Sequence, residues 1–501
     1  MKTVGSSGRA MVVALLVLGG PVVIVSAAEP PRPTEARPLL VGNWADPTVL
    51  RDGDDYYMTH SSFEFQPGLL IWHSQDLRSW RPVAHAVVNQ EGSIWAPDLV
   101  KHDGRYYVYY PAAGTNWVVT AEKIAGPWSK PVSIGVGRID PGHVADDEGR
   151  RYVHLSAGYA AEVSADGLKA VTPPTKVYDG WPIPRDWTIE CFCLESPKLT
   201  RRGQWYYLTS AQGGTSGPAT SHMVVSARSK GPLGPWENSP HNPIIRTWDR
   251  GEAWWSKGHG TLVEGPDNRW YCVLHGYMNG YRTLGRCTLI EPIQWTADGW
   301  FQAADGWPNE AKDFAGEAVM PLGDEFAGEH LGLQWQFHRQ FDQTRYKLEA
   351  DSLLLNGFGD TPGLSRPLCV MAMHRAYEIE TDVELSGEGA AGLMLFGAPE
   401  AYIGLSISSD GKLRRVQEGF RRYGGTDEPE IGRSRVTLRI VNDKQDVRFY
   451  YKSADGEWII LQPGMDVSSM TTVGWHALRP ALFATGASRT RFHCFRYQAE
   501  E

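Results

Sequence analysis

The sequence predicts an all-β protein, a five-bladed β-propeller followed by an antiparallel β-sandwich. Three observations carry this. From Trp44 to about Trp307, apolar and aromatic runs of four to eight residues recur between Asp-Gly, Gly-Pro and Asn-Gly turns, with hardly any helical periodicity. Within that stretch one pattern returns five times. After Pro308 it stops, and strict apolar/polar alternation takes over.

The chain has 501 residues, enough for two or three domains with real cores. Lys2 and Arg9 precede an apolar run from Ala10 to Val25, and Ser26-Ala27-Ala28 supplies small residues for cleavage. Residues 1–28 therefore read as a signal peptide, and the expected location is exported, periplasmic or extracellular. An uncleaved anchor is the competing reading, but Gly19-Gly20-Pro21 interrupts the run. No membrane association is expected after cleavage. Residues 29–38, rich in proline, read as an extended linker.

In the propeller region, 39–310, Pro47, Pro97 and Pro197 are each followed ten residues later by Tyr57, Tyr107 and Tyr207. Pro141 runs to Tyr152 and Gly260 to Tyr271 with one residue more. Copies at this spacing match the length of a four-stranded blade. The first strand of a blade lines the central channel, so residues just before each repeated Pro or Gly should gather at one mouth. They are Asp46, Trp95-Ala96, Asp140, Glu195 and His259. Asp before Pro is by itself only a turn former. That does not account for Glu195, nor for three carboxylates around one axis.

Carboxylates converging in a cleft are the apparatus of acid/base chemistry. In an exported chain with 20 Trp, 21 Tyr and 15 Phe, they suit cleavage of a glycosidic bond, one acid protonating the leaving oxygen and one base activating water. Trp95 is the favoured sugar-stacking ring, with Phe63, Trp72 and Trp117 as weaker candidates. A formal charge of −9 gives no field for nucleic acid. The expected partner is an oligosaccharide or polysaccharide substrate; oligomeric state has no sequence signal. Of six cysteines, Cys191 and Cys193 are expected to lie too close for easy mutual pairing. Cys272 and Cys287 read either as a cross-strand disulfide or as buried thiols. Without Cys-x-x-Cys or His-x-x-x-His, a zinc site has little support.

Trp44-Ala45-Asp46-Pro47, Ser61-Ser62-Phe63, Ile94-Trp95-Ala96-Pro97-Asp98, Ile139-Asp140-Pro141, Glu195-Ser196-Pro197, Ala211-Gln212-Gly213-Gly214-Thr215, Lys257-Gly258-His259-Gly260 and Gly285-Arg286 stand in an order and spacing that resemble glycoside hydrolase family 43. The resemblance implies an inverting exo-hydrolase of terminal β-D-xylosyl or α-L-arabinofuranosyl residues. Asp46 would be the general base and Glu195 the general acid, with Asp140 orienting Glu195 and raising its proton affinity. It further implies His259 as the channel histidine, near a bound ion or water cluster, and Arg286 on sugar hydroxyls; with Phe63 and Trp95 these are the candidate substrate-binding residues. No cofactor is required for the chemistry, and no metal ligand is assigned, although a structural calcium near His259 is a possibility. Glu190, in Glu190-Cys191, resembles the acid of the retaining invertase-like propellers but lies five residues off the repeat position. The alternatives are a non-catalytic glycan-binding propeller and a glycosidase of galactofuranosides or fructosides.

The second domain, 320–501, alternates throughout Tyr377 to Leu385 and again at Val436, Leu438, Ile440 and at Val447, Phe449, Tyr451. Asp410-Gly411 and Asp455-Gly456 supply hairpin turns. This sandwich resembles the concanavalin-like domain of xylosidase-type members of the family. The short segment between Ala311 and Leu322 favours a docked domain over an autonomous module.

Overall fold

A computed structural model describes residues 35–308, 313–419, 428–432, 435–453, 456–472 and 477–500. The signal peptide reading falls outside these residues. Five antiparallel sheets form the propeller. Their first strands are Thr48–Asp52, Asp98–His102, Gly142–Ala145, Glu195–Arg202 and Trp254–Glu264. Each touches the first strands of its two neighbours, so the five close a ring. Side chains stitch that ring together: Thr48 Oγ1 donates to Asp98 Oδ1 (3.3 Å), Lys198 Nζ to the same oxygen (2.9 Å), and Thr261 Oγ1 to the Pro47 carbonyl (3.1 Å).

The turns and rings that make the repeat visible are scaffold. At Asp103-Gly104 both residues have positive φ, 46° and 76°, the type I′ geometry of a two-residue hairpin. The repeat tyrosines Tyr57, Tyr107, Tyr152, Tyr207 and Tyr271 are all buried. Trp72 is buried too, edge-on to Trp44 at 5.1 Å, and Trp117 is held in the second blade by Nε1 donating to the Ala112 carbonyl (2.9 Å). Both are therefore packing residues rather than sugar platforms.

One boundary needs correcting. Arg37–Leu40 is a strand that pairs with Arg286–Trp295 in the fifth blade, so the propeller begins inside the segment read as linker. The two leucines that follow Pro38 explain it: Leu39 and Leu40 are both buried. This pairing ties the beginning of the propeller to its last blade.

Among the described residues the sandwich is built on two seven-stranded sheets, one of which takes a strand from the propeller. Ala376–Ser386 shows the expected alternation, with Ile379, Val383 and Leu385 buried and Glu384 exposed. One sheet is completed by the propeller: Phe65–Gln66 pairs antiparallel with Gln336–His338. Arg479, from the sandwich, lies 3.6 Å over the Phe65 ring and donates to Gln336 Oε1 (2.8 Å). The connector is fixed as well, with Glu317–Ala318 running parallel to Ser79 and Trp80. The two domains are thus docked, and the clamp falls on the loop that carries Ser61 and Phe63 toward the channel.

Candidate active site

The residues before the repeated Pro or Gly share a backbone device. Asp46, Asp140 and His259 each have φ 59°. Left-handed non-glycine residues cost about 1–3 kcal/mol each and persist where the surrounding structure holds them. Here the twist turns each side chain off its strand toward the channel mouth. In the fourth blade this position belongs to Ser196 (φ 53°), one residue after Glu195. Glu195 therefore enters from one residue earlier, with the Ser196 amide donating to Asp140 Oδ2 (3.0 Å).

A cavity of about 80 Å³ results. Asp46, Asp140, Glu195, His259 and Arg286 line its polar side, and Phe63 and Trp95 its apolar side. All seven sequence-designated residues come together. Trp95 is 39% exposed at the mouth, its indole N–H on Ser93 Oγ (2.7 Å). Phe63 is buried, with the Arg286 guanidinium 5.7 Å from its ring.

Asp46 and Glu195 are driven apart in acidity. Burial pushes Asp46 up, but the Arg286, His259 and His275 neighbours outweigh it and hold its carboxyl well below the ordinary range. Arg286 Nη1 donates to Asp46 Oδ1 (2.7 Å), and Ser61 Oγ to Oδ2 (2.5 Å). Burial raises Glu195, and the Asp140 charge adds to it, bringing the carboxyl to about 8 against the opposing pull of His259. His259 stands between Asp46 and Asp140, with one ring nitrogen 3.5 Å from each. Burial disfavours its charge, yet Asp46, Asp140 and Glu195 more than compensate and raise its pKa.

Arg286 was expected on sugar hydroxyls; the structure pairs it with Asp46 while leaving it in the cavity wall. Ser61, Thr215 and His275 were not singled out for a role. His275 Nδ1 accepts the Asp46 amide (3.1 Å), and its Nε2 lies 3.3 Å from Thr215 Oγ1. Ser61 and Thr215 sit in the quoted motifs, but His275 lies on a second strand, where no repeat position marks it. Glu190 faces elsewhere, its Oε2 accepting the Ser216 and Gly217 amides (2.8 Å each).

One further expectation changes. Cys191 and Cys193 are bonded, with Cα atoms 5.3 Å apart. The positive φ of Cys193 (39°) turns both side chains to one side, which spacing alone did not suggest. Cys272 and Cys287 are buried thiols on neighbouring strands, out of register with one another. The histidines His222, His259 and His275 bring ring nitrogens within 4.8 Å of one another, a cluster drawn from three separate segments and so invisible to motif spacing. These donors are imidazole nitrogens, whereas calcium takes six to eight oxygens, waters among them.

A five-bladed propeller that holds two carboxyls of opposed acidity in one small pocket is the arrangement that acid/base cleavage of a glycosidic bond calls for. Residues 36–301 match Glycosyl hydrolases family 43, and residues 323–498 match the Beta xylosidase C-terminal Concanavalin A-like domain. The chain belongs to family 43, whose members are inverting glycoside hydrolases. It is 34% identical to a xylan 1,3-beta-xylosidase of Vibrio sp. over 54% of this chain and 58% of that protein, less than two thirds of its length. It is 30% identical to xylosidase/arabinosidase 43B of Humicola insolens, over 87% of this chain and 90% of that one. The crystal structure of a xylan beta-1,4-xylosidase from Bacillus halodurans superposes with a TM-score of 0.79 at 27% identity, covering 93% of this chain and all of the other.

Proposed function

We propose that the protein is an inverting exo-hydrolase that releases one terminal β-D-xylosyl or α-L-arabinofuranosyl residue from a plant-type glycan outside the cytoplasm. The observation that carries this is the convergence of Asp46, paired with Arg286, and Glu195, beside Asp140, in one small pocket with Trp95 at its mouth. Glu195 gives its proton to the glycosidic oxygen as the bond from the anomeric carbon to that oxygen breaks. A water on the opposite face attacks the anomeric carbon and gives a proton to Asp46, so water is consumed and the anomeric configuration inverts. Asp140 keeps Glu195 protonated, and Arg286 with Ser61 orients Asp46. Trp95 offers its face to the sugar ring. The Cys191–Cys193 disulfide supports an oxidising, exported site of action.

A panel of aryl β-xyloside, α-L-arabinofuranoside and galactofuranoside, with NMR of the first-formed anomer, tests the reading. Free sugar of inverted configuration is expected from the xyloside or arabinofuranoside; binding without release, or retention, overturns it. The pH dependence has a definite sign. Glu195 must be protonated, so kcat/KM is expected to hold below about pH 8 and fall as pH rises through it.

A further inference from the structure

We propose that the groove on the far side of Glu195 is the subsite for the leaving-group sugar, with Phe192 as its stacking platform and the Cys191–Cys193 disulfide fixing that platform. The inference rests on Glu195 acting as the acid of the hydrolysis above. A second cavity, of about 350 Å³, adjoins the catalytic pocket and shares Ile139 and Glu195 with it. A proton donor on the border of two cavities faces the bond joining a sugar in one to a sugar in the other. The catalytic pocket holds the departing terminal residue; the second, more than four times larger, takes what that residue was attached to.

The walls of the groove have sugar-binding chemistry. Phe192 is 44% exposed between two bonded cysteines, although Leu194 beside it is buried. Its position is built rather than incidental. A Cβ on Gly180 would stand 2.8 Å from Phe192 Cζ, so the bare Gly180 backbone leaves room for the ring. The Gly213 amide donates to the Phe192 carbonyl (3.2 Å), and the amides of Glu190 and Cys191 return to the Gly213 carbonyl (3.0 and 3.3 Å). The disulfide closes this short turn at its tip. Ser156 and Lys176 complete the lining with a hydroxyl and an ammonium, the latter at the rim, 3.4 Å from Asp179. A pyranose presents an apolar C–H face to an aromatic ring and its hydroxyls to such donors. The substrate class is therefore a sugar-to-sugar glycoside rather than one with a small aglycone.

The test compares a disaccharide with the glycosyl fluoride of the same terminal sugar, whose leaving atom does not reach the groove. Phe192→Ala is expected to lower the ratio of kcat/KM, disaccharide over fluoride, by about tenfold, chiefly through KM. Phe192→Tyr, which keeps a ring, is expected to hold the ratio within about threefold, and Cys191→Ser/Cys193→Ser to lower it by an intermediate factor. A ratio unmoved in Phe192→Ala, or equal losses on both substrates while Phe192→Tyr behaves normally, overturns the subsite alone. No turnover of either substrate by the unmodified protein sinks the hydrolase reading, and the subsite with it.

Discussion

Glu195→Gln is expected to lower kcat/KM on a glycan leaving group by about a thousandfold, the middle of the range for losing a general acid. The loss should shrink as the leaving group becomes more acidic, because a departing phenolate needs little proton transfer. Glu190→Gln, whose side chain only ties the Ser216 and Gly217 amides, should keep most activity. The reverse ranking would give the acid role to Glu190. Stability supplies a second readout. Folded Glu195 stays protonated to about pH 8, whereas the unfolded carboxyl ionises near 4.5. Its contribution to the fold is complete below the unfolded value and is lost as pH rises through the folded one. Gln is neutral throughout and loses nothing. The inactive variant should therefore melt higher than the parent, by on the order of 3 kcal/mol at pH 7, with almost no difference below pH 4. A melting gap that fails to widen between pH 5 and pH 8 would contradict the protonated acid.

Much of this site was legible because a propeller repeats its backbone. Near-equal spacing from the repeated Pro or Gly to Tyr, ten or eleven residues, placed Asp46, Asp140 and His259 at one mouth without any knowledge of chemistry, and the left-handed φ they share is the physical form of that repeat. The sandwich was equally readable, since each strand has one face in the core. The unread parts depend on partners distant in sequence. His275 reaches Asp46 from a second strand, and Phe65–Gln66 leaves its blade to join a sheet of the other domain. Neither carries a local signal, because backbone pairing and ring-to-amide hydrogen bonds place little demand on residue type. The Cys191–Cys193 bond was missed for a related reason. Spacing suggests that an extended Cys-x-Cys cannot close, and only the turn at Cys193 makes it possible.

Asp46→Asn is expected to be the mirror image of the acid variant. Removing the base leaves water unactivated, so turnover should fall by about a thousandfold or more on every substrate, glycosyl fluoride included. That insensitivity to the leaving group separates it from Glu195→Gln, and a loss that instead tracked leaving-group acidity would exchange the two roles. The stability effect is also opposite in sign. Asp46 has a depressed folded pKa, so its stabilisation is present above the ordinary carboxylate range and is lost as pH falls through the folded value. Asn cannot neutralise Arg286, which is 3% exposed. Breaking a buried ion pair by removing one partner costs about 3–5 kcal/mol, so Asp46→Asn should melt well below the parent at pH 7, and the difference should close in acid. Asp46→Asn/Arg286→Met removes both charges and should regain much of the lost stability without regaining turnover. Catalysis and folding thus place contrary demands on the two carboxyls. The base is anchored by the cation that the fold needs neutralised, while the acid is kept protonated by a burial that costs the fold stability at neutral pH.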